Sequence, residues 1–394
     1  MPLLRFGALA CLPLLLAGGS DFDDAFANGT LHGQAKLFYY NIDKAHDDNA
    51  HAFAAGGYLK ASTDTGKRFF AAIRFHTSQP VGGNENREQT ALFNNDKGAE
   101  ALNVNSEAYL GWNGGSRVLK VGNLMLNTPM MNDDTTRIVP WSYQGAAYTG
   151  EALPNTKVQL NYIQKIRSHT SGRYKKESAS GGIGRGITML GIHYKGFEHL
   201  ALDSYYYYAP DLYSTFIAQI DYQWLPDQEN LFCASVQYFK SGNGGRYAQS
   251  DNRNGGDDID LVAAKVGYYA EDWMISLNYS KNFGVSGIVK GYGGLAKVFT
   301  TSMVANGRGN YGPETWMVKT RYDLPPGRWG KSEVAFTYTH TRSDAMQGDD
   351  FDAYYAHWKH DFNADTSLYL RYETLDHHNK SDARYLRLIT AYRF

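Results

Sequence analysis

The sequence predicts an all-β chain that closes into a transmembrane antiparallel barrel. Three observations predict it. Segments with a two-residue hydrophobic period recur along the chain, about eighteen of them, an even number as bacterial single-chain barrels use. The connections alternate between short turns and long polar loops. The last segment, Y-L-R-L-I-T-A-Y-R-F, alternates down to a terminal Phe394 instead of dissolving into polar residues.

Taken in order, the segments show two unlike faces. The stretch 31–41 sets Leu31, Gly33, Ala35, Leu37 and Tyr39 against His32, Gln34, Lys36 and Phe38. The stretch 68–76 opposes Phe69, Ala71, Ile73 and Phe75 to Arg68, Arg74 and His76. Residues 157–167 and 215–224 repeat the pattern, as do 232–238, 262–268, 273–279, 316–322, 334–338, 354–358 and 368–372. Tyr322, Trp358, Tyr372 and Tyr392 cap the apolar phase, as rings do at a membrane–water boundary. Short turns fall at 63–66, 113–115, 225–227, 270–272 and 363–365, and long loops at 76–103, 168–186, 241–257, 284–313 and 376–381. Short periplasmic turns and long extracellular loops are the outer-membrane pattern. Backbone facing lipid must be fully paired, so strands without helices imply closure, with the last strand pairing the first.

Bulk composition fits this class. The 394 residues include 30 Tyr, 41 Gly, 7 Trp and 19 Phe, yet mean hydropathy is −0.48. Basic residues number 39 and acidic residues 40, which gives no global attraction to nucleic acid. Residues 1–19 read as a secretory signal peptide, with cleavage as late as residue 27, ahead of a single barrel domain over 28–394. No stretch is long enough for a helical span of about 20 residues. After cleavage Cys233 is the one thiol, so no internal disulfide is expected.

One stretch is more specific. N-T-P-M-M-N-D-D-T-T-R-I-V-P-W-S-Y-Q-G-A, 127–146, follows one strand and precedes another. It resembles the constricting loop of the OprD-type substrate-specific porins, through Pro129, the 137–140 core and the Gly145 turn. N-G-R-G-N-Y-G-P-E-T-W-M-V-K-T-R-Y-D-L, 306–324, and the terminal R-L-I-T-A-Y of 387–392 carry the same resemblance. It implies an 18-stranded barrel in the bacterial outer membrane, monomeric or loosely trimeric, with one loop folded into the lumen. It further implies a narrow pore for small carboxylate-bearing solutes such as amino acids or short peptides. A ladder of basic side chains on one wall would face an acidic, polar loop surface. Outer-membrane lipids and lipopolysaccharide are the expected surroundings.

The residues offer both parts. The wet phases hold Lys319 and Arg321, His357 and Lys359, Arg371, and Arg387. Antiparallel neighbours lie about 4.8 Å apart, so such cations stack into a track along which a carboxylate passes between weak sites. The plainer reading pairs each cation with Glu333 or Glu373. Asp133 and Asp134 supply the acidic side, with Arg137 bridging the loop to the wall; alternatively the two aspartates cap a turn and face bulk water.

Other clusters carry less. Asp257, Asp258 and Asp260, and Asp349, Asp350 and Asp352, lack the glycine and spacing of a Ca²⁺ loop. No histidine spacing resembles a zinc site, and no metal or cofactor is expected. S-G-G-I-G-R-G, 180–186, lacks the ending of a phosphate loop. No G-x-S-x-G is present. Two readings from other classes stay open: an outer-membrane barrel enzyme of lipase or protease type, and a plugged structural or adhesive barrel.

Overall fold

The computed structural model describes residues 28–45, 49–176, 185–210, 213–243, 259–284, 292–305, 312–343 and 350–394. The segment read as a signal peptide lies outside these residues, as do Asp257, Asp258, Asp349, most of 180–186 and the 306–311 start of the second motif. Nineteen strands form one sheet. The first seven are β1 (Thr30–Lys44), β2 (Ala50–Ser62), β3 (Phe69–Pro80), β4 (Leu102–Asn113), β5 (Arg117–Leu124), β6 (Ser142–Leu153) and β7 (Thr156–Arg167). The two-residue β8 (Lys175–Lys176) pairs only with β7 and stands outside the barrel proper. Then follow β9 (Ile187–Phe197), β10 (Leu200–Ala209), β11 (Tyr213–Trp224), β12 (Leu231–Asn243), β13 (Ile259–Tyr269) and β14 (Trp273–Asn282). The series ends with β15 (Glu314–Gly327), β16 (Gly330–Arg342), β17 (Phe351–Asp361), β18 (Thr366–His377) and β19 (Ala383–Arg393).

Apart from β8, every strand pairs antiparallel with its sequence neighbours, and β7 pairs with β9 across the β8 excursion. β1 pairs with β19 from Gln34↔Arg393 to Lys44↔Ala383. The barrel of eighteen strands therefore closes, and no backbone edge is left toward lipid. Phe394 completes the seam: its N–H donates to the Gly33 carbonyl at 3.1 Å, and the Gly33 N–H donates to its carbonyl at 2.8 Å. A closed ladder of this kind explains why alternation runs to the end of the chain.

Alternation also fixes the two faces. On β1, Leu37 is 47% exposed while its neighbour Phe38 is 1% exposed. Leu59, Ile73, Leu110, Val121, Leu160 and Leu277 continue the outer apolar band. Aromatic pairs border it at both ends. Trp224 stacks on Phe232 at 5.4 Å and Tyr268 meets Trp273 at 5.1 Å near the short turns; Tyr279 meets Trp316 at 4.4 Å and Tyr338 meets Tyr354 at 5.3 Å near the long loops.

The inner face is filled by loops rather than by a second sheet. Three clusters of buried side chains tie loops to wall. Leu92, Phe93 and Ala99 from 81–101, with Ile138 and Val139 from 125–141, pack on Phe38, Tyr40, Ala52 and Val104. Leu126, Met130 and Met131, with Tyr292, Ala296 and Val298, pack on Tyr207, Ile217, Phe239 and Leu261. Val304 and Ala305 pack on Phe351, Ala353 and Leu375. The expected loop thus folds inward, and 81–101 and 292–305 fold inward with it.

Candidate functional site: the lumen constriction

Loops 125–141 and 292–305 meet through one buried amide. Asn132 donates from Nδ2 to the Leu295 carbonyl at 2.6 Å and accepts the Leu295 N–H on Oδ1 at 3.1 Å. This two-point contact imitates a strand pairing across 163 positions of sequence. Around it the Lys297 N–H donates to the Pro129 carbonyl at 3.0 Å, and Lys297 Nζ hydrogen-bonds Asn127 Oδ1. Tyr143 donates to the Asn132 carbonyl at 2.9 Å, and Tyr207 donates to Thr128 Oγ1 at 2.9 Å. These bonds pair the facing backbone groups of the two loops away from bulk water. Replacing Asn132 by Ala leaves both backbone groups of Leu295 unpaired, a cost of about 1–3 kcal/mol each. The expected result is a wider, noisier channel in single-channel recording with the barrel still folded by heat-modifiable mobility.

The exit of loop 125–141 is held by a buried guanidinium. Arg167, at the end of β7, donates to Ser142 Oγ at 3.0 Å and to the carbonyls of Pro140 at 2.8 Å, Ser168 at 3.2 Å and Ser171 at 3.4 Å. One side chain so satisfies three carbonyls of two loops.

The aspartates of the loop are engaged locally. Asp134 lies 3.0 Å from His169 Nε2. Burial works to raise its carboxyl, but the hydrogen bond and charge of His169 outweigh that and hold it well below the usual carboxylate range. Burial raises Asp133, and Lys297 opposes the rise. Burial lowers Lys297 in turn, against the pull of Asp133.

Arg137 reaches the wall. Its guanidinium carbon stands 5.0 Å from the centroid of the Tyr40 ring on β1, and its Nε donates to the Thr90 carbonyl at 2.9 Å. Burial, and then the neighbouring Arg387, depress it to about 10. Arg387 lies against the same Tyr40 ring at 4.5 Å. The loop's cation therefore sits beside the basic wall, not across from it.

The wall cations fall into rows of the sheet register. Arg321, Ala335, His357, Arg371, Arg387 and Tyr40 are successive partners across β15, β16, β17, β18, β19 and β1. Lys319 lies one row toward the long loops and Lys359 one row toward the short turns. Their partners differ. Arg321 is 3.5 Å from Asp323 and 3.8 Å from Glu333, and Lys359 is 2.7 Å from Asp361. Lys319 Nζ donates to the Thr301 carbonyl at 3.4 Å. Arg371 donates to the Tyr355 hydroxyl at 2.9 Å and lies between the Tyr355 and Tyr369 rings at 5.4 and 5.2 Å. Arg387 is 2% exposed, donates to the Tyr40 hydroxyl at 3.1 Å, and leaves Nε and Nη1 without an acceptor. Among the described residues neither Arg371 nor Arg387 has a carboxylate within ion-pair distance. Glu373, two residues from Arg371, instead accepts the Val304 N–H at 2.5 Å and so anchors loop 292–305.

Sequence reading did not single out a second inward group, Lys60 and Arg74, which share Glu107 at 3.2 and 2.7 Å. The inward phase of β3 already contained Arg74; the β-bulge beside it, which brings Glu107 opposite, has no sequence mark. Among the described residues no group of His, Cys, Asp and Glu is gathered to hold a metal ion.

The barrel superposes on solved channels from Pseudomonas aeruginosa: OccK9 (OpdG), with a TM-score of 0.82 at 14% identity, and OpdK with vanillate, with a TM-score of 0.80 at 18% identity, each covering 94% of this chain and 99% of the other. Acinetobacter baumannii OccAB4 gives a TM-score of 0.80 at 17% identity over 93% of this chain and 98% of its own. No curated protein matches the chain in sequence. The family model described as outer membrane porin, OprD family, matches residues 81–392. The chain belongs to the OprD family of substrate-specific outer-membrane porins.

Proposed function

We propose that this porin passes small carboxylate-bearing solutes, drawn along the inward basic wall of β15 to β1. The observation that supports this is Arg371 directly opposite Arg387 in the register, with no carboxylate within ion-pair distance of either among the described residues. Like charges directly opposite on antiparallel strands cost stability, so the pair serves something other than the fold. A passing anion is what it suits. Guanidinium forks match a carboxylate in two-point contact, and several weak neighbouring sites favour conduction over retention.

The rungs differ in role. Arg321, 38% exposed, and Lys359, 40% exposed, reach into the lumen and are balanced by carboxylates of their own. Arg371 is half-buried between tyrosines and offers the least balanced accessible charge. Arg387 is too deeply buried to touch a permeant; it acts through its field, together with Arg137 on the same ring. Asp133, half-buried in the opposing loop, would give a permeant's ammonium group a counter-charge, so amino acids belong to the proposed class. OpdK, of similar fold, was solved with the carboxylate vanillate.

The test is the reversal potential of the reconstituted channel under a potassium chloride gradient, followed by block with vanillate, benzoate and amino acids. Anion preference with block by carboxylates supports the proposal. Cation preference without block would overturn it.

A further inference from the structure

His169 stands just after β7, in the loop that contains β8, and touches loop 125–141 at two points. Its Nδ1 is 2.9 Å from the Val139 carbonyl oxygen and its Nε2 is 3.0 Å from Asp134 Oδ2. Both partners are acceptors only when Asp134 is ionised. A neutral imidazole has one N–H and can satisfy one of them; an imidazolium satisfies both. The two contacts lie on either side of Arg137, the residue that reaches Tyr40 and the basic wall. We propose that His169 is a positioning residue of the constriction: as an imidazolium it clasps both ends of the 134–139 arc and holds Arg137 in place, and deprotonation releases the arc.

The arc needs such a clasp. Asp134 has φ 41, in the left-handed region that strains a residue with a side chain. Within the arc, Asp134 Oδ1 accepts the Thr136 N–H only at 3.4 Å. Beyond Arg137, Ile138 and Val139 are buried against β1, β2 and β4, so the clasp joins a strained end to a fixed end. The Trp141 ring meets the imidazole edge-on at 5.6 Å and shields one flank.

The charged groups around the clasp are otherwise committed. Arg167 is spent on Ser142 and three carbonyls. Asp96, from loop 81–101, accepts Lys175 Nζ and Ser171 Oγ, both at 2.7 Å, and these bonds hold its carboxyl low. Arg137 donates to the Thr90 and Thr136 carbonyls and does not contact the imidazole. Asp134 is therefore the charge that faces His169.

The direction with pH follows. The clasp is complete while the imidazole carries two protons and is lost when it carries one. On the acid side it persists until Asp134 is protonated, which lies well below the ordinary carboxylate range. The inference rests on loop 125–141 forming the constriction. It does not depend on carboxylate selectivity, because current in plain potassium chloride reads it.

The experiment records single channels of the refolded porin from about pH 5 to about pH 8, the range in which an ordinary imidazole changes charge. Wild type should be quiet on the acid side, with open-channel noise rising several-fold on the alkaline side. His169→Gln keeps one contact and should behave as alkaline wild type at every pH. Asp134→Asn, which replaces the carboxylate by an amide, should flatten the profile likewise. A flat wild-type profile would overturn the proposal, as would a wild-type pH profile in either variant. If His169→Gln does not refold, Asp134→Asn alone decides.

Discussion

Replacing Arg321, Arg371 and Arg387 together by glutamine is expected to cut carboxylate flux into liposomes by about tenfold or more, equivalent to roughly 1.4 kcal/mol of added barrier. The effect should not divide evenly. Arg321 is already balanced by Asp323 and Glu333, and Arg387 is screened from contact by its burial. Arg371→Gln alone should therefore carry most of the loss, while Arg387→Gln should chiefly shift the reversal potential through the lost field. Heat-modifiable mobility separates a lost path from a lost barrel. Flux unchanged in a folded triple variant would remove the basic wall from the mechanism.

The largest effect on assembly is expected from Gly57→Val. Gly57 sits on β2 opposite Ala35 of β1, with φ +138, where a side chain is strained. A Cβ placed there would lie 1.7 Å from the Gln34 carbonyl oxygen. That atom is backbone in the neighbouring strand, so no rotamer change relieves the overlap and the ladder beside the closing seam must part. The cost is on the order of 3 kcal/mol or more, and the folded fraction in membrane extracts should fall steeply. Gly33→Ala gives the contrast. Its Cβ would meet the Phe394 ring at 2.1 Å, but a ring can swing aside. A smaller loss is expected there, and a folded fraction as low as that of Gly57→Val would show that the ring cannot move.

The wall was legible because its rule is local. Leu37 and Phe38 fall on opposite faces for no reason beyond the two-residue period, and the same period placed Arg321, Arg371 and Arg387 on the inner face. Whether a rung is neutralised was partly legible too. Asp323 and Asp361 stand two residues from Arg321 and Lys359, on the same face of the same strand. The inward loop 125–141 was legible through the resemblance of 127–146, but the contacts that hold it were not. Asn132 meets Leu295, and His169 meets Asp134, between loops without a period, and these contacts follow from how far each loop reaches across the lumen. Met130 and Met131 look like ordinary loop residues in the sequence, yet both are buried because loop 292–305 covers them. Glu373 is the instructive case: one natural guess paired it with a ladder cation, but its carboxylate is taken by the backbone of an incoming loop.

Loop 125–141 has a mechanical consequence. Its first half is anchored with Tyr207, Ile217, Phe239 and Leu261 on one side of the tube, and its second half with Phe38, Tyr40, Ala52 and Val104 on another. It is a cross-brace. A thin-walled cylinder with a wet interior resists squashing poorly, and a strut spanning its bore supplies stiffness that the wall lacks. Two-sided anchoring makes the same segment a partition of the bore as well as a brace of its wall. Shortening it to admit bulkier solutes would also let the cylinder flatten, so bore and rigidity cannot be tuned independently in this chain.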